Sequence, residues 1–149
     1  MEIATLATIS GIAVLLVLSA FFSSSETALT AASRPRMHLL EAKGDKRAKL
    51  VNRLRSEQDN MIGTILLGNN LVNILASALA TSVLISLFGE TGVVYATIAM
   101  TLLVLIFGEI LPKTYAFRHS DKLALTIAPT FLVLVRLLSP VMSALQYVI

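Results

Sequence analysis

The sequence predicts an all-α integral membrane protein. Three transmembrane helices are expected, with a pair of cytoplasmic juxtamembrane helices and a proline-broken belt helix at the inner interface. Three observations carry this. The 149-residue chain is 56% hydrophobic and only 14% charged, with a mean hydropathy of +0.81, whereas a soluble globular chain carries about 25% charged residues. Its apolar residues gather into runs long enough to span a bilayer, for which about 20 residues suffice. Its basic residues fall on one side of those runs. The length fits one domain, taken as residues 1–149. Cys is absent, which excludes disulfides and thiolate metal sites.

The first span covers 3–31. It is apolar from Ile3 to Phe22 and closes on the polar string SSSET. No Lys or Arg occurs from Met1 to Ser33, so the basic start of a cleaved signal peptide is missing and the segment is read as retained. The block 34–59 follows and holds eight of the twelve Lys and Arg. Within it Leu39, Leu40, Leu50, Val51 and Leu54 recur at mostly helical spacing, and Gly44 interrupts them. That pattern predicts two short amphipathic helices at the membrane surface. The second and third spans, 61–88 and 93–111, form a hairpin around FGETG, with Gly89 and Gly92 as breakers.

The last apolar stretch, assigned to a belt helix over 120–149, is divided by Pro129, Arg136 and Pro140. As a span it would hold Arg near its middle, at about 2.5 to 3.5 kcal/mol on insertion scales. Each interior proline also removes a helix hydrogen bond. A broken helix at the inner interface, with Arg136 snorkelling, fits better than a fourth span.

This arrangement puts every Lys and Arg on one side, with none in the N-terminus or the Gly89–Gly92 turn. The N-terminus is therefore expected outside, in a bacterial inner (cytoplasmic) membrane. The expected surroundings are lipid, with no nucleic-acid partner. The chain stops within the apolar string ALQYVI, and a cytoplasmic domain is expected to follow in a longer protein.

Each span carries one polar cluster: Ser23–Thr27, Gly68–Asn73 and Gly108–Lys113. At 1.5 Å per residue, Asn70 lies about 14 Å in from the cytoplasmic side and Glu109 about 24 Å down from the outer side. The clusters can meet in the inner half of the membrane. They offer hydroxyls, amides and carboxylates but no His, Cys or Met, and such oxygen sets suit hard cations such as Mg²⁺ or Ca²⁺. Pro112 cannot donate to the carbonyl four residues back, so in an α-helix the Gly108 carbonyl would be left beside Glu109. The expected ligands are Ser24, Asn70 and Glu109 first, then Ser23 and the Gly108 carbonyl. Ser25, Glu26, Asn69, Asn73, Pro112 and Lys113 are placed around them or in gating.

Each residue also has a plainer use. Membrane serines bond their own backbone, Asn glues helices together, glycines allow close packing, Glu109 can pair with Lys113, and Lys113 can mark the boundary. Joint placement is what favours a site. No span offers a continuous polar stripe from face to face, which favours a carrier over a channel.

The motifs SSSETAL, GNNLVN and GEILPKT, in that order, resemble the transmembrane domain of the CorB/CorC and cyclin-M (CNNM) magnesium transporter family, over essentially the whole chain. The resemblance implies Mg²⁺ transport, often discussed as efflux, with Na⁺ as a coupling ion. It implies a homodimer of three-span subunits and a cytoplasmic CBS pair downstream, absent from this chain. The family's serine cluster falls on Ser23 to Ser25 with Glu26, its amide motif on Asn69, Asn70 and Asn73, and its acidic-proline motif on Glu109, Pro112 and Lys113. The chain is not expected to be an enzyme: a serine hydrolase using Lys113 as base would lack a GxSG context. The alternative function is a non-transporting module for Mg²⁺ sensing and assembly.

Overall fold

Seven α-helices, a 3₁₀ turn and a π-helical segment make up the computed structural model, which describes residues 2–148. Among these residues there is no strand, and the chain is an all-α integral membrane domain. The order is α1 (Ile3–Ala31), α2 (Arg34–Ala42), α3 (Lys46–Ser56), α4 (Gln58–Phe88), a 3₁₀ turn (Gly89–Thr91), α5 (Gly92–Leu103), a π-helical stretch (Val104–Ile110), α6 (Leu111–Arg118) and α7 (Ser120–Val148). Three helical runs are long and apolar enough to cross a membrane: Ile3–Ala31, Gln58–Arg118 and Ser120–Val148. The middle run is itself a hairpin with two arms.

The chain divides into two compact units, one of Met1–Ser23 with Gly68–Pro112 and one of Ser24–Leu67 with Lys113–Ile149. In the first unit the hairpin closes at Gly89, whose φ of 73° suits glycine and few other residues. Gly92 then allows the close approach, because a Cβ there would collide with the Leu84 carbonyl. Ala76, Ala80 and Met100 are buried between the arms, with Ile12, Leu15 and Leu16 of α1 and Leu103 and Val104 packed against them. Small residues on α4 are what let these helices approach, since lipid leaves little hydrophobic drive between spans. Large apolar side chains such as Leu71, Ile74, Val94, Ile98 and Leu102 face outward, as lipid permits.

In the second unit, sequence signals set the helix ends. Ser33 caps α2 through the Arg36 N–H, and Asp45 caps α3 through the Arg47 and Ala48 N–H groups. Between them Gly44, at φ 94°, takes the left-handed position, and the Gly44 and Asp45 N–H groups bond the Glu41 and Leu40 carbonyls, closing a Schellman turn. Met37, Ala48, Val51 and Leu54 are fully buried. Leu39, expected on the apolar face, is exposed, and Met37 is the residue buried on α2.

α7 differs from the sequence expectation. It is one helix through both Pro129 and Pro140, not a broken one. A proline costs an interior helix about 3 kcal/mol. Here a buried stripe continues on both sides of Pro129, with Ala124, Ile127 and Ala128 before it and Phe131, Leu132 and Val135 after. α7 packs against α3, and that packing holds the helix together where propensity alone would not.

Candidate cation site

Glu109 lies in the π-helical stretch. From Val104 to Ile110 the backbone is π-helical, and the Leu111 N–H bonds the Ile106 carbonyl, five residues back. Pro112 explains why a wider turn is tolerated here. Its ring would crowd the carbonyl four residues back in an α-helix, and it has no N–H to lose. Short π segments are uncommon and recur at functional sites. The Gly108 carbonyl, named from sequence because Pro112 cannot donate to it, lies within this π-helical stretch.

Gly108 is buried against α1. A Cβ there would stand 2.8 Å from Ser19 Oγ, inside van der Waals contact. Ser19 is itself fully buried, and its hydroxyl donates to Asn69 Oδ1 at 3.2 Å. Ser19, Asn69 and Gly108 thus join α1, α4 and the π-helical stretch. Sequence reading missed Ser19. The available signal was its spacing of four from Ser23, which puts both on one helix face. Ser23 is also fully buried, and its hydroxyl has no hydrogen-bond partner. At Gly68 the Phe22 ring occupies the place a Cβ would need.

A cavity of about 440 Å³ opens between α4 and the second arm. Its polar lining is Asn73, Ser77 and Thr81 from α4, Thr97 and Thr101 from α5, and Glu109. The three α4 residues are spaced by four and share a face. Thr81, Thr97 and Thr101 donate their protons to the carbonyls of Ser77, Val93 and Thr97, at 2.8, 2.9 and 2.6 Å. Their oxygens therefore keep lone pairs but no free proton. Asn73 Oδ1 is buried with no hydrogen-bond partner. Among the described residues Glu109 forms no ion pair. Acceptors outnumber donors in this cavity, a surplus that a cation or hydrogen-bond donors would balance.

The other expected site residues are placed as follows. Asn70 is exposed and does not line this cavity. Pro112 is buried. In the second unit Ser24 is partly buried, Ser25 is fully buried, and Glu26 pairs with Lys113 at 3.8 Å. Among the described residues no three His, Cys, Asp or Glu side chains cluster as metal ligands. An ion at Glu109 would therefore be held by one carboxylate and neutral oxygens, a set that suits hard cations.

Residues 11–149 match the family described as the cyclin M transmembrane N-terminal domain. The UPF0053 inner membrane protein YfjD of Escherichia coli (strain K12) is 46% identical over 107 residues, which cover 72% of this chain and 25% of that protein. A UPF0053 protein of Haemophilus influenzae is 45% identical over 109 residues, covering 73% of this chain and 26% of that protein. A chloroplastic DUF21 domain-containing protein of Arabidopsis thaliana is 37% identical over 136 residues, 91% of this chain and 21% of that protein. The matched stretch spans only about a quarter of these relatives.

Proposed function

The chain belongs to the cyclin M transmembrane domain family, and on that premise we propose that it moves Mg²⁺ across the membrane as a secondary transporter, taking the ion as substrate at Glu109. The observation that carries the reading is the pairing, in one cavity, of a carboxylate that is in no ion pair among the described residues with a buried Asn73 oxygen that has no donor there. Mg²⁺ demands octahedral oxygen geometry and gives up water reluctantly. Glu109 supplies the charge that offsets dehydration, and neutral oxygens complete the shell.

Asn73 is the amide oxygen this geometry favours. Ser23, Ser24, Asn70 and the Gly108 carbonyl remain the further donors named from sequence. Na⁺ coupling, efflux, a homodimer, an outside N-terminus and regulation through a downstream cytoplasmic domain belong to the same proposal. So does the belt position of α7, which the packing of α7 against the basic helix α3 supports. The role is transport, with no catalytic step assigned to any residue.

The test is Mg²⁺ flux in sealed proteoliposomes, with and without an opposing Na⁺ gradient. Gradient-dependent flux is expected. Saturable Mg²⁺ binding with no flux under any gradient would make the domain a sensing and assembly module instead.

A further inference from the structure

The second unit contains a cavity of about 280 Å³ where the end of α1 meets α3 and the start of α4. Its lining has two characters. Leu29, Met61, Ile62, Ile65 and Leu66 make an apolar wall, and Arg34, Arg55 and Glu26 bring charge. Ile62 and Leu66 are 42% and 54% exposed, so the wall runs on to the outer face of α4.

Arg55 is held in place by backbone. Its Nε donates to the Leu29 carbonyl at 2.8 Å, one Nη donates to the Ala32 carbonyl, and the other Nη has no hydrogen-bond partner. Burial first, and then Arg34, push its pKa below the ordinary value, with Asp121 opposing. The nearby carboxylates are committed elsewhere, Glu26 to Lys113 and Asp121 to Arg36. Among the described residues neither Arg34 nor Arg55 is in an ion pair. The carbonyl end of α1 offsets only part of this excess, since a helix end carries about half a charge.

Two guanidinium groups without carboxylate partners match phosphate oxygens. An apolar wall leading onto a span matches acyl chains. Basic pockets between membrane helices recognise anionic headgroups in this way. We propose that the cavity holds the phosphate of an anionic glycerophospholipid, with Arg34 and Arg55 on the phosphate and the acyl chains along Ile62 and Leu66. The site is independent of the transport reading.

The test uses the full chain purified in neutral detergent. Phosphatidylglycerol, phosphatidylcholine or inorganic phosphate is added at matched concentration, and melting temperature and retained lipid by native mass spectrometry are read. Phosphatidylglycerol is expected to raise the melting temperature and stay bound, and the other two to do neither. Arg34 is exposed, so Arg34→Gln should fold, and it should weaken phosphatidylglycerol retention by about tenfold. Lys43→Gln, which removes the same charge elsewhere in the basic segment, should leave retention unchanged. Equal stabilisation by inorganic phosphate would overturn the lipid assignment. Wild-type retention in Arg34→Gln, or equal loss in Lys43→Gln, would overturn the site.

Discussion

Lys113 Nζ stands 3.8 Å from Glu26 Oε2. The basic residue of FGEILPK is therefore paired with the acid of SSSET. Both side chains are nearly half exposed, so the pair is worth at most about 1 kcal/mol. Its importance is for Glu109, which could have been explained from sequence as the partner of Lys113. Among the described residues Glu109 stands outside any ion pair.

The first prediction concerns that charge. Glu109→Gln keeps the shape of the side chain and removes the ionic ligand. Mg²⁺ affinity by titration calorimetry should fall by at least about tenfold, equivalent to ~1.4 kcal/mol. Flux in liposomes should fall with it, while the melting temperature of the ion-free protein holds. Parental affinity and flux in the variant would make Glu109 a structural residue.

The second prediction separates two amides. Asn73 shares the cavity with Glu109, and Asn70 does not. If Asn73 supplies the neutral oxygen, Asn73→Ala should weaken Mg²⁺ binding about fivefold, the effect of losing an interaction of ~1 kcal/mol. Asn70→Ala should weaken it less. The reverse order, in the same calorimetric titration, would restore the ligand set named from sequence.

The third prediction is topological. All Lys and Arg lie outside the N-terminus and the Gly89–Gly92 turn, so those two are expected on the outer face and α3 on the inner. Thr91 and Lys46 are both exposed, so single cysteines there should fold and label. An impermeant maleimide added to intact cells should modify position 91 and spare position 46. Labelling at 46 alone would invert the orientation.

Much of this fold was legible because lipid leaves few options. Long apolar runs become helices, and Gly89 and Gly92 mark the hairpin turn. The caps at Ser33 and Asp45 are local signals as well. α7 misled because Pro129 and Pro140 are read as breaks by local rules, and the packing that overrides them involves α3, many residues away in sequence. The site was half legible. Glu109 announces itself as a carboxylate in an apolar run, and its surroundings do not. The polar face opposite it combines Asn73, Ser77 and Thr81 on one helix with Thr97 and Thr101 on another. Neither half makes a continuous stripe alone, so a search span by span passed over it. The π-helical stretch is likewise invisible to a reading that assumes α register. Ser19 was missed because one serine among apolar residues has many bland uses, and only the proximity of Gly108 and Asn69 singles it out.

The last prediction tests that junction. Gly108→Ala would put a methyl group 2.8 Å from Ser19 Oγ. Ser19 is fully buried and its hydroxyl is engaged with Asn69, so it has little freedom to give way. Overpacking of this kind costs about 1–3 kcal/mol, and a lower melting temperature is expected. Because Gly108 precedes Glu109 in the π-helical stretch, Mg²⁺ affinity should fall as well. Ser19→Ala removes the atom in the way and leaves Ser19 Cβ at an ordinary 3.5 Å from the new methyl. It also costs the hydrogen bond to Asn69, so the single variant is destabilised for a different reason. The double variant Ser19→Ala/Gly108→Ala should lose less stability than the two singles added together, by roughly 0.5–3 kcal/mol, the range for residues in contact. Melting temperatures of the four proteins, measured in one detergent, close the cycle. Strict additivity would mean that Ser19 is not what Gly108 makes room for, and the close approach of α1 to the π-helical stretch would lose its explanation.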